Sequence, residues 1–183
     1  KDFKNYYFKI RDGLSASKSP EEYGAFPFDP YSHTPSHSGA QQPGMTGQVK
    51  EEILTRFGEL GCLVKDGCIM FDTSLLKKSE FLSDEKVFSY FDISKEKCLI
   101  EMPQNQLAYT FCQVPVIYSL SKSGGLITLT LKDDTKIKMQ GNTIDKINSK
   151  YIFERAGVVK KVEYNVNEEN CKSSIIAKNL QYN

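Results

Sequence analysis

The two histidines of the chain, His33 and His37, lie four residues apart in the stretch "FDPYSHTPSHSGAQQPG". Pro35 stands between them, so one regular helix does not place both imidazoles on the same face. Together with Asp29 they form a set that binds a divalent cation when a loop brings the three side chains together. The imidazoles can instead hold a substrate hydroxyl, or a phosphate when protonated. The remaining alternative is structural, with both histidines satisfying backbone groups of a tight proline-rich loop.

The residues that follow are rich in side chains that both donate and accept hydrogen bonds. Ser38 contributes a hydroxyl, and Gln41 and Gln42 contribute amides. Such groups are the usual partners of sugar hydroxyls, which also donate and accept. The "GMTG" stretch before the next helix resembles a small anion cradle, although no Gly-Lys-Ser/Thr motif accompanies it. This composition favours a site for a hydroxylated ligand and calls for no cofactor.

The chain contains no self-contained catalytic set. Cys-His catalysis requires a cysteine to meet His33 or His37 in the fold, and no local signature supports that pairing. A Ser-His-Asp set lacks the nucleophile-elbow context. The five cysteines include no C-x-x-C pair, which argues against zinc. They are expected to be small buried side chains in a reducing compartment, which favours the cytoplasm, or the periplasm if a missing N-terminus carried a signal.

Charge and hydropathy exclude several classes of partner. The 24 basic and 23 acidic residues give a net charge of +1, which favours neither nucleic acid nor an acidic membrane surface. No apolar run approaches the ~20 residues that span a bilayer. At 183 residues with 39% hydrophobic content, the chain suits one medium domain with an extension.

One amphipathic helix is predicted over residues 47–61. Val49, Ile53, Phe57 and Leu60 recur at helical spacing, and Gly61 suits the C-terminal stop. Residues 1–46 hold most of the prolines, so we expect an extended arm there, with at most a short strand or helical turn at "NYYFKI".

From residue 62 onward the pattern is that of short strands separated by turns. Asp66-Gly67 predicts a tight hairpin. "LAYTFCQVPVIYSLS" is aromatic and β-branched, with Pro115 marking an edge or a bulge. Tyr109 and Tyr118, the candidate sugar-stacking rings, then lie on opposite faces unless that bulge intervenes. "KYIFERAGVVKKVEYNV" predicts two further strands around Gly157. The fold class is therefore mainly β, an antiparallel, jelly-roll-like sandwich over residues 62–183.

The order of parts resembles the C-terminal end of bacterial carbohydrate-active enzymes built on an α/α toroid, notably disaccharide phosphorylases and related glycoside hydrolases. The resemblance covers residues 28 to about 82, where "YSHTPSHSGAQQPGMTGQ" leads into a helix ending "ELG" and then a short hairpin. It implies a small β-sandwich that packs against the toroid. It also implies that a loop near the end of the toroid contributes to the sugar or phosphate site, through His33, His37, Ser38, Gln41 and Gln42.

The loop departs from the phosphorylase pattern, which usually reads more like His-Gly-Gly-Thr, whereas this chain reads "HSGAQQ". Phosphate and water therefore stay open as acceptors. Nothing here matches the acidic residue that protonates the leaving group, which belongs to an upstream toroid loop in that group.

These observations predict an accessory β-domain of a larger carbohydrate-active enzyme, which braces a sugar-site loop and is not catalytic alone. Its partners are then an upstream α/α toroid of the same polypeptide and an oligosaccharide, with no nucleic acid and no membrane. A stand-alone carbohydrate-binding or structural β-sandwich is the alternative. A metal-dependent enzyme that uses His33 and His37 is the third possibility.

Overall fold

The computed structural model describes the backbone of residues 2–14 and 46–171, with side chains described over residues 3–9 and 53–171. The chain divides into two compact units, residues 1–56 and 57–183. The second unit contains all the strands described here, so we refer to it as the β unit.

Helix α1 spans Asp2–Leu14. The prediction of an extended arm is therefore wrong for residues 2–14, where at most a helical turn was expected. The physical reason is the position of the prolines, since the first of them is Pro20 and nothing within the first 14 residues blocks a helix. The rest of the predicted arm, residues 15–45, lies outside the described residues.

Helix α2 spans Thr46–Leu60, in agreement with the amphipathic pattern of the sequence. It ends at Gly61, whose φ of +71° is the left-handed conformation that favours glycine after a helix. The Gly61 carbonyl accepts a hydrogen bond of 2.8 Å from the backbone N–H of Asp72. The backbone of the helix end is thereby tied to the chain that follows the first hairpin.

The first hairpin consists of β1, Cys62–Lys65, and β2, Cys68–Phe71, paired antiparallel. Asp66 and Gly67 form its turn with φ of +52° and +78°. Two left-handed residues are what a type I′ turn requires, so the hairpin predicted from Asp66-Gly67 is confirmed. Two short 3₁₀ turns follow, Thr73–Leu75 and Lys78–Glu80.

A second two-stranded antiparallel sheet, the β3–β4 hairpin, pairs β3, Lys86–Phe91, with β4, Lys97–Met102. Its connection is closed by the carboxylate of Asp92. The Asp92 Oδ1 accepts hydrogen bonds from the backbone N–H groups of Ser94, at 2.8 Å, and Glu96, at 3.0 Å. This carboxylate is therefore committed to its own turn.

The largest sheet has five strands in the order β5-β6-β9-β7-β8. Its strands are β5, Gln106–Phe111; β6, Val114–Ser121; β7, Leu126–Leu131; β8, Lys136–Gln140; and β9, Val159–Asn167. Neighbouring strands are antiparallel except β6 and β9, which are parallel. The predicted mainly β, sandwich-like class is confirmed, and the parallel pair makes this sheet mixed.

The stretch "LAYTFCQVPVIYSLS" is a hairpin and not one strand. Cys112 and Gln113 form the turn between β5 and β6 with φ of +49° and +65°. Neither residue is a usual turn former, so no local signal predicts this turn. In the resulting register Tyr109 pairs with Val116, which puts Tyr109 and Tyr118 on the same face of the sheet. The prediction of opposite faces is wrong for this reason.

Helix α3 spans Lys146–Phe153, where a strand was predicted from "KYIFERA". The strand prediction is wrong because the cap at Asp145 starts a helix despite the aromatic and β-branched residues that follow it. Asp145 Oδ1 accepts hydrogen bonds of 2.9 Å from the N–H groups of both Ile147 and Asn148, as an N-cap does. Burial of Ser149 and Ile152 on one side then fixes the helix.

The core of the β unit lies on one face of the five-stranded sheet. Register places alternate apolar residues of all five strands on that face, including Val116, Val162 and Leu129. The layer that covers them comes from the first hairpin, the end of α2 and helix α3. Phe71 of β2, for example, contacts the rings of Tyr118 and Tyr164. This packing fixes the first hairpin, the end of α2 and helix α3 against the sheet.

Candidate functional site

The binding residues expected from the sequence cannot be placed by this structure. His33, His37, Ser38, Gln41 and Gln42, together with Asp29, all lie outside the described residues. Over residues 2–14 and 46–171, no group of three His, Cys, Asp or Glu side chains is arranged to hold a metal ion. The predicted sugar site and the alternative metal site therefore stay predictions.

The end of α2 is fixed to the β unit by an aromatic and hydrogen-bonded cluster, which we call the α2 anchor: Phe57, Leu60, Tyr109, Phe111 and Tyr118. The Phe57 ring contacts Tyr109 and Phe111 edge-on, with centroid distances of 6.3 and 5.9 Å. The Tyr118 hydroxyl donates to the Leu60 carbonyl at 2.9 Å. It also lies 2.8 Å from the Tyr109 hydroxyl, which must then donate to it.

Burial in the anchor keeps its ionisable groups protonated. Burial raises the pKa of Tyr118 well above its ordinary value, and burial beside Tyr118 also raises the pKa of Tyr109. Burial raises the pKa of the adjacent Cys62 thiol to about 11, although a hydrogen bond with Tyr109 opposes part of this effect. These side chains are therefore neutral hydrogen-bonding groups near pH 7, and none is poised as a base or a nucleophile.

The five cysteines all lie in the described part of the chain and are free thiols. Cys62 and Cys171 are buried, whereas Cys68, Cys98 and Cys112 are half-buried. Burial raises the pKa of Cys112, and the positive charge of Arg155 opposes that shift. Their placement within strands and turns is that of small packing residues.

A cavity of about 340 Å³ opens between the β3–β4 hairpin, the start of β6 and the segment that joins α3 to β9. We call it the hairpin cavity. Its lining residues include the polar or aromatic residues Tyr90, Asp92, Gln113, Lys132, Tyr151 and Arg155. Its volume is at the lower end of the range for small-molecule pockets. The cavity therefore has room for one small ring-sized ligand.

Positive charge predominates in the hairpin cavity. Lys132, Arg155 and Lys160 line it with a single carboxylate, that of Asp92. Lys160 is paired with Asp134, at 2.8 Å between Nζ and Oδ1, which cancels its charge locally. Lys132 and Arg155 form no salt bridge with any carboxylate in the described ranges. Two unpaired cations therefore face the one carboxylate of Asp92, which leaves a net positive charge on this wall.

The β3–β4 hairpin presents different surfaces on its two faces. On one, Tyr90 stacks on Phe88 and lines the hairpin cavity. Burial and the neighbouring Cys98 raise the pKa of Tyr90 to about 12, so its hydroxyl is neutral. On the other face, Val87, Phe91 and Leu99 are 60%, 61% and 65% exposed. That outer face is an apolar surface open to solvent.

Sequence reasoning missed the hairpin cavity because its wall comes from five separate elements. Arg155 lies in the segment "KYIFERA", whose residues predict a strand, and Gln113 lies in a turn that contains no usual turn residue. The one local sign of this cavity is Gly157, which comes shortly after the charged residues Glu154 and Arg155. Gly157 has a φ of +70°, and a Cβ there would lie 2.8 Å from the Ile93 side chain, so glycine permits the hairpin to approach.

No protein-family model matches this chain, and no curated protein matches its sequence. Within the described residues, no helix is long and apolar enough to cross a membrane.

Proposed function

We propose that the β unit is a non-catalytic accessory domain of a larger carbohydrate-active enzyme, and that it holds the end of α2 in place. The observation that carries the proposal is the α2 anchor. Phe57 and Leu60 occupy the last turn of the helix, and both are fixed to the five-stranded sheet by ring contacts and by the Tyr118 hydrogen bond. In sequence, α2 directly follows the stretch that contains His33 and His37.

The chemistry of the described residues favours a structural role over a catalytic one. The tyrosine hydroxyls of the anchor and the adjacent Cys62 thiol are neutral near pH 7, and burial raises their pKa values still further from that pH. Asp92, the carboxylate of the hairpin cavity, is occupied by its own turn. The exposed apolar face formed by Val87, Phe91 and Leu99 supports the further proposal that a toroid domain of the same polypeptide packs against the β unit, since large exposed apolar surfaces commonly mark interaction sites.

Activity of the 183-residue chain tests the non-catalytic part of the proposal. We expect no hydrolysis of disaccharides in buffer and no phosphorolysis when inorganic phosphate is added. Turnover of a disaccharide that scales with the concentration of the chain and survives repurification would refute this part.

The anchoring role is tested by hydrogen exchange of α2 in two variants. Phe57→Ala removes the ring that contacts Tyr109 and Phe111, and we expect faster amide exchange in the last turn of the helix. Leu54→Ala is the matched control, because Leu54 lies on the same helix and is 71% exposed. Equal protection of the last turn in wild type and Phe57→Ala would show that the ring does not hold the helix.

A stand-alone binding module is the second candidate function, and the hairpin cavity is the observation that favours it. The stacking platform expected from the sequence does not support it, since Tyr118 is fully buried and the rings of Tyr109 and Tyr118 contact each other edge-on at 5.4 Å. Any ligand binding by the β unit must therefore use residues other than this pair.

A further inference from the structure

The backbone at the rim of the hairpin cavity adopts a conformation that its residues disfavour. Arg155 has a φ of +51° and Gln113 a φ of +65°. L-residues other than glycine pay an energetic cost in this left-handed region. Gln113 adopts this backbone as the second residue of the two-residue β5–β6 turn, whereas Arg155 adopts it at the end of a helix. Both residues also line the cavity.

Arg155 occupies a position that glycine usually takes. It follows the last turn of α3, where its N–H donates to the Ile152 carbonyl at 3.1 Å and the Ala156 N–H donates to the Tyr151 carbonyl at 3.0 Å. This pair of bonds is the Schellman motif, whose left-handed residue is most often glycine. An arginine in this conformation has a higher backbone energy than a glycine would have. It also contributes a residue with a guanidinium group to the cavity wall.

The cations of the cavity outnumber its one carboxylate, which favours an anion. Arg155 and Lys132 have no carboxylate partner among the described residues. Asp92 keeps its negative charge, but its Oδ1 is directed to the N–H groups of Ser94 and Glu96. A guanidinium binds a carboxylate or a phosphate through two parallel hydrogen bonds. An oxyanion between Arg155 and Lys132 is the charge that this wall can accept.

The rest of the wall suits a hydroxylated ring. Tyr90 and Tyr151 supply aromatic surface and hydroxyl groups, and the raised pKa of Tyr90 keeps its hydroxyl protonated. Gln113 uses its Nε2 to donate to the Asp92 carbonyl at 3.1 Å, which fixes the amide and leaves its Oε1 as an acceptor. Hydroxyl, amide and ring surface together match a small polyol ring, and about 340 Å³ accommodates one such ring.

From this geometry we propose that the hairpin cavity binds one acidic monosaccharide unit, a sugar ring that bears a carboxylate or a phosphate. Arg155 and Lys132 hold the charged group, and Tyr90, Tyr151 and Gln113 contact the ring. This site lies outside the α2 anchor, so it adds a binding activity to the bracing role and does not depend on it.

The test is a titration of the 183-residue chain followed by backbone amide NMR. Glucuronate and glucose 6-phosphate are the acidic probes, with glucose and inorganic phosphate as comparisons. We expect saturable shifts at the residues of the cavity with at least one acidic sugar, and at least about tenfold weaker binding of glucose and of phosphate. Whichever acidic probe binds tighter identifies carboxylate or phosphate as the charged group.

Arg155→Gly separates binding from folding. Glycine is favoured at this left-handed position, so the variant should unfold at the same temperature as wild type or higher, while affinity for the acidic sugar falls at least about tenfold. Arg155→Asn is the second variant, because asparagine also tolerates this conformation. Lys95→Gly is the matched control: Lys95 is likewise left-handed, with φ of +63°, and lies outside the cavity wall.

Three results would overturn the proposal. The first is the absence of saturable shifts with either acidic sugar up to about 10 mM, a concentration that detects even weak complexes. The second is equal affinity for glucose or for inorganic phosphate. The third is an equal loss of affinity in Lys95→Gly and Arg155→Gly. None of these bears on the α2 anchor, so failure here leaves the bracing role standing.

Discussion

Replacing Tyr118 by phenylalanine is the most direct test of the α2 anchor. The Tyr118 hydroxyl donates to the Leu60 carbonyl at 2.9 Å and accepts from the Tyr109 hydroxyl at the 2.8 Å contact. Tyr118→Phe keeps the fully buried ring but leaves a carbonyl and a hydroxyl without this partner. Each buried orphan costs about 1–3 kcal/mol, and Tyr109 can still turn towards Cys62. We therefore expect the free energy of unfolding to fall by about 2 kcal/mol.

A double-mutant cycle with Tyr109→Phe measures the coupling between the two hydroxyl groups. Tyr109→Phe alone leaves the Tyr118 bond to Leu60 intact, so it should cost only about 1 kcal/mol. In the double variant the Leu60 carbonyl is the one group left without its partner. The double variant should therefore cost about as much as Tyr118→Phe alone, with a coupling of about 1 kcal/mol between the two sites.

Urea unfolding of the 183-residue chain, followed by far-ultraviolet circular dichroism, measures these differences. The midpoint should move while the slope stays constant, because the same surface is exposed on unfolding. Tyr151→Phe is the control: Tyr151 is 36% exposed, and its change should stay within about 0.5 kcal/mol. A Tyr118→Phe cost within that same margin, or strict additivity of the two anchor substitutions, would refute the hydrogen-bonded anchor.

Two further predictions concern the residues that follow α2. Gly61→Ala should destabilise the chain by more than about 2 kcal/mol in the same urea assay, because the new Cβ would lie 1.8 Å from the Asp72 carbonyl oxygen. Gly141→Ala is the control, because Gly141 is also left-handed but a Cβ there would have nothing within 4 Å. The control should lose clearly less stability, and equal losses would contradict the clash at Gly61. The free energy of unfolding should also fall as the pH rises from about 9 to about 11, because Cys62 ionises near 9.0 in the unfolded chain but near 11 in the fold. Between these pH values unfolding releases the Cys62 proton, so a rise in pH favours the unfolded state, whereas below pH 9 both states hold the proton. Cys62→Ala should make the loss of stability with pH shallower. An unchanged slope in that variant would assign the effect to other groups.

The sequence by itself determined the elements whose signals are local. Helical spacing and a terminal glycine fixed α2, with Gly61 adopting the left-handed conformation that its position implied. Asp66-Gly67 fixed the first hairpin because both residues favour the backbone of a type I′ turn. In each case neighbours in sequence supply the deciding interaction.

Only the tertiary structure decided the features that depend on distant residues. The Cys112-Gln113 turn and the left-handed Arg155 carry no favourable local propensity, so surrounding contacts impose them. The parallel pairing of β6 with β9 joins strands that are separated by two others and by α3. The hairpin cavity collects side chains from across residues 90–160. Such sites are fixed by the sum of packing in the whole domain, and no short window of sequence contains that sum.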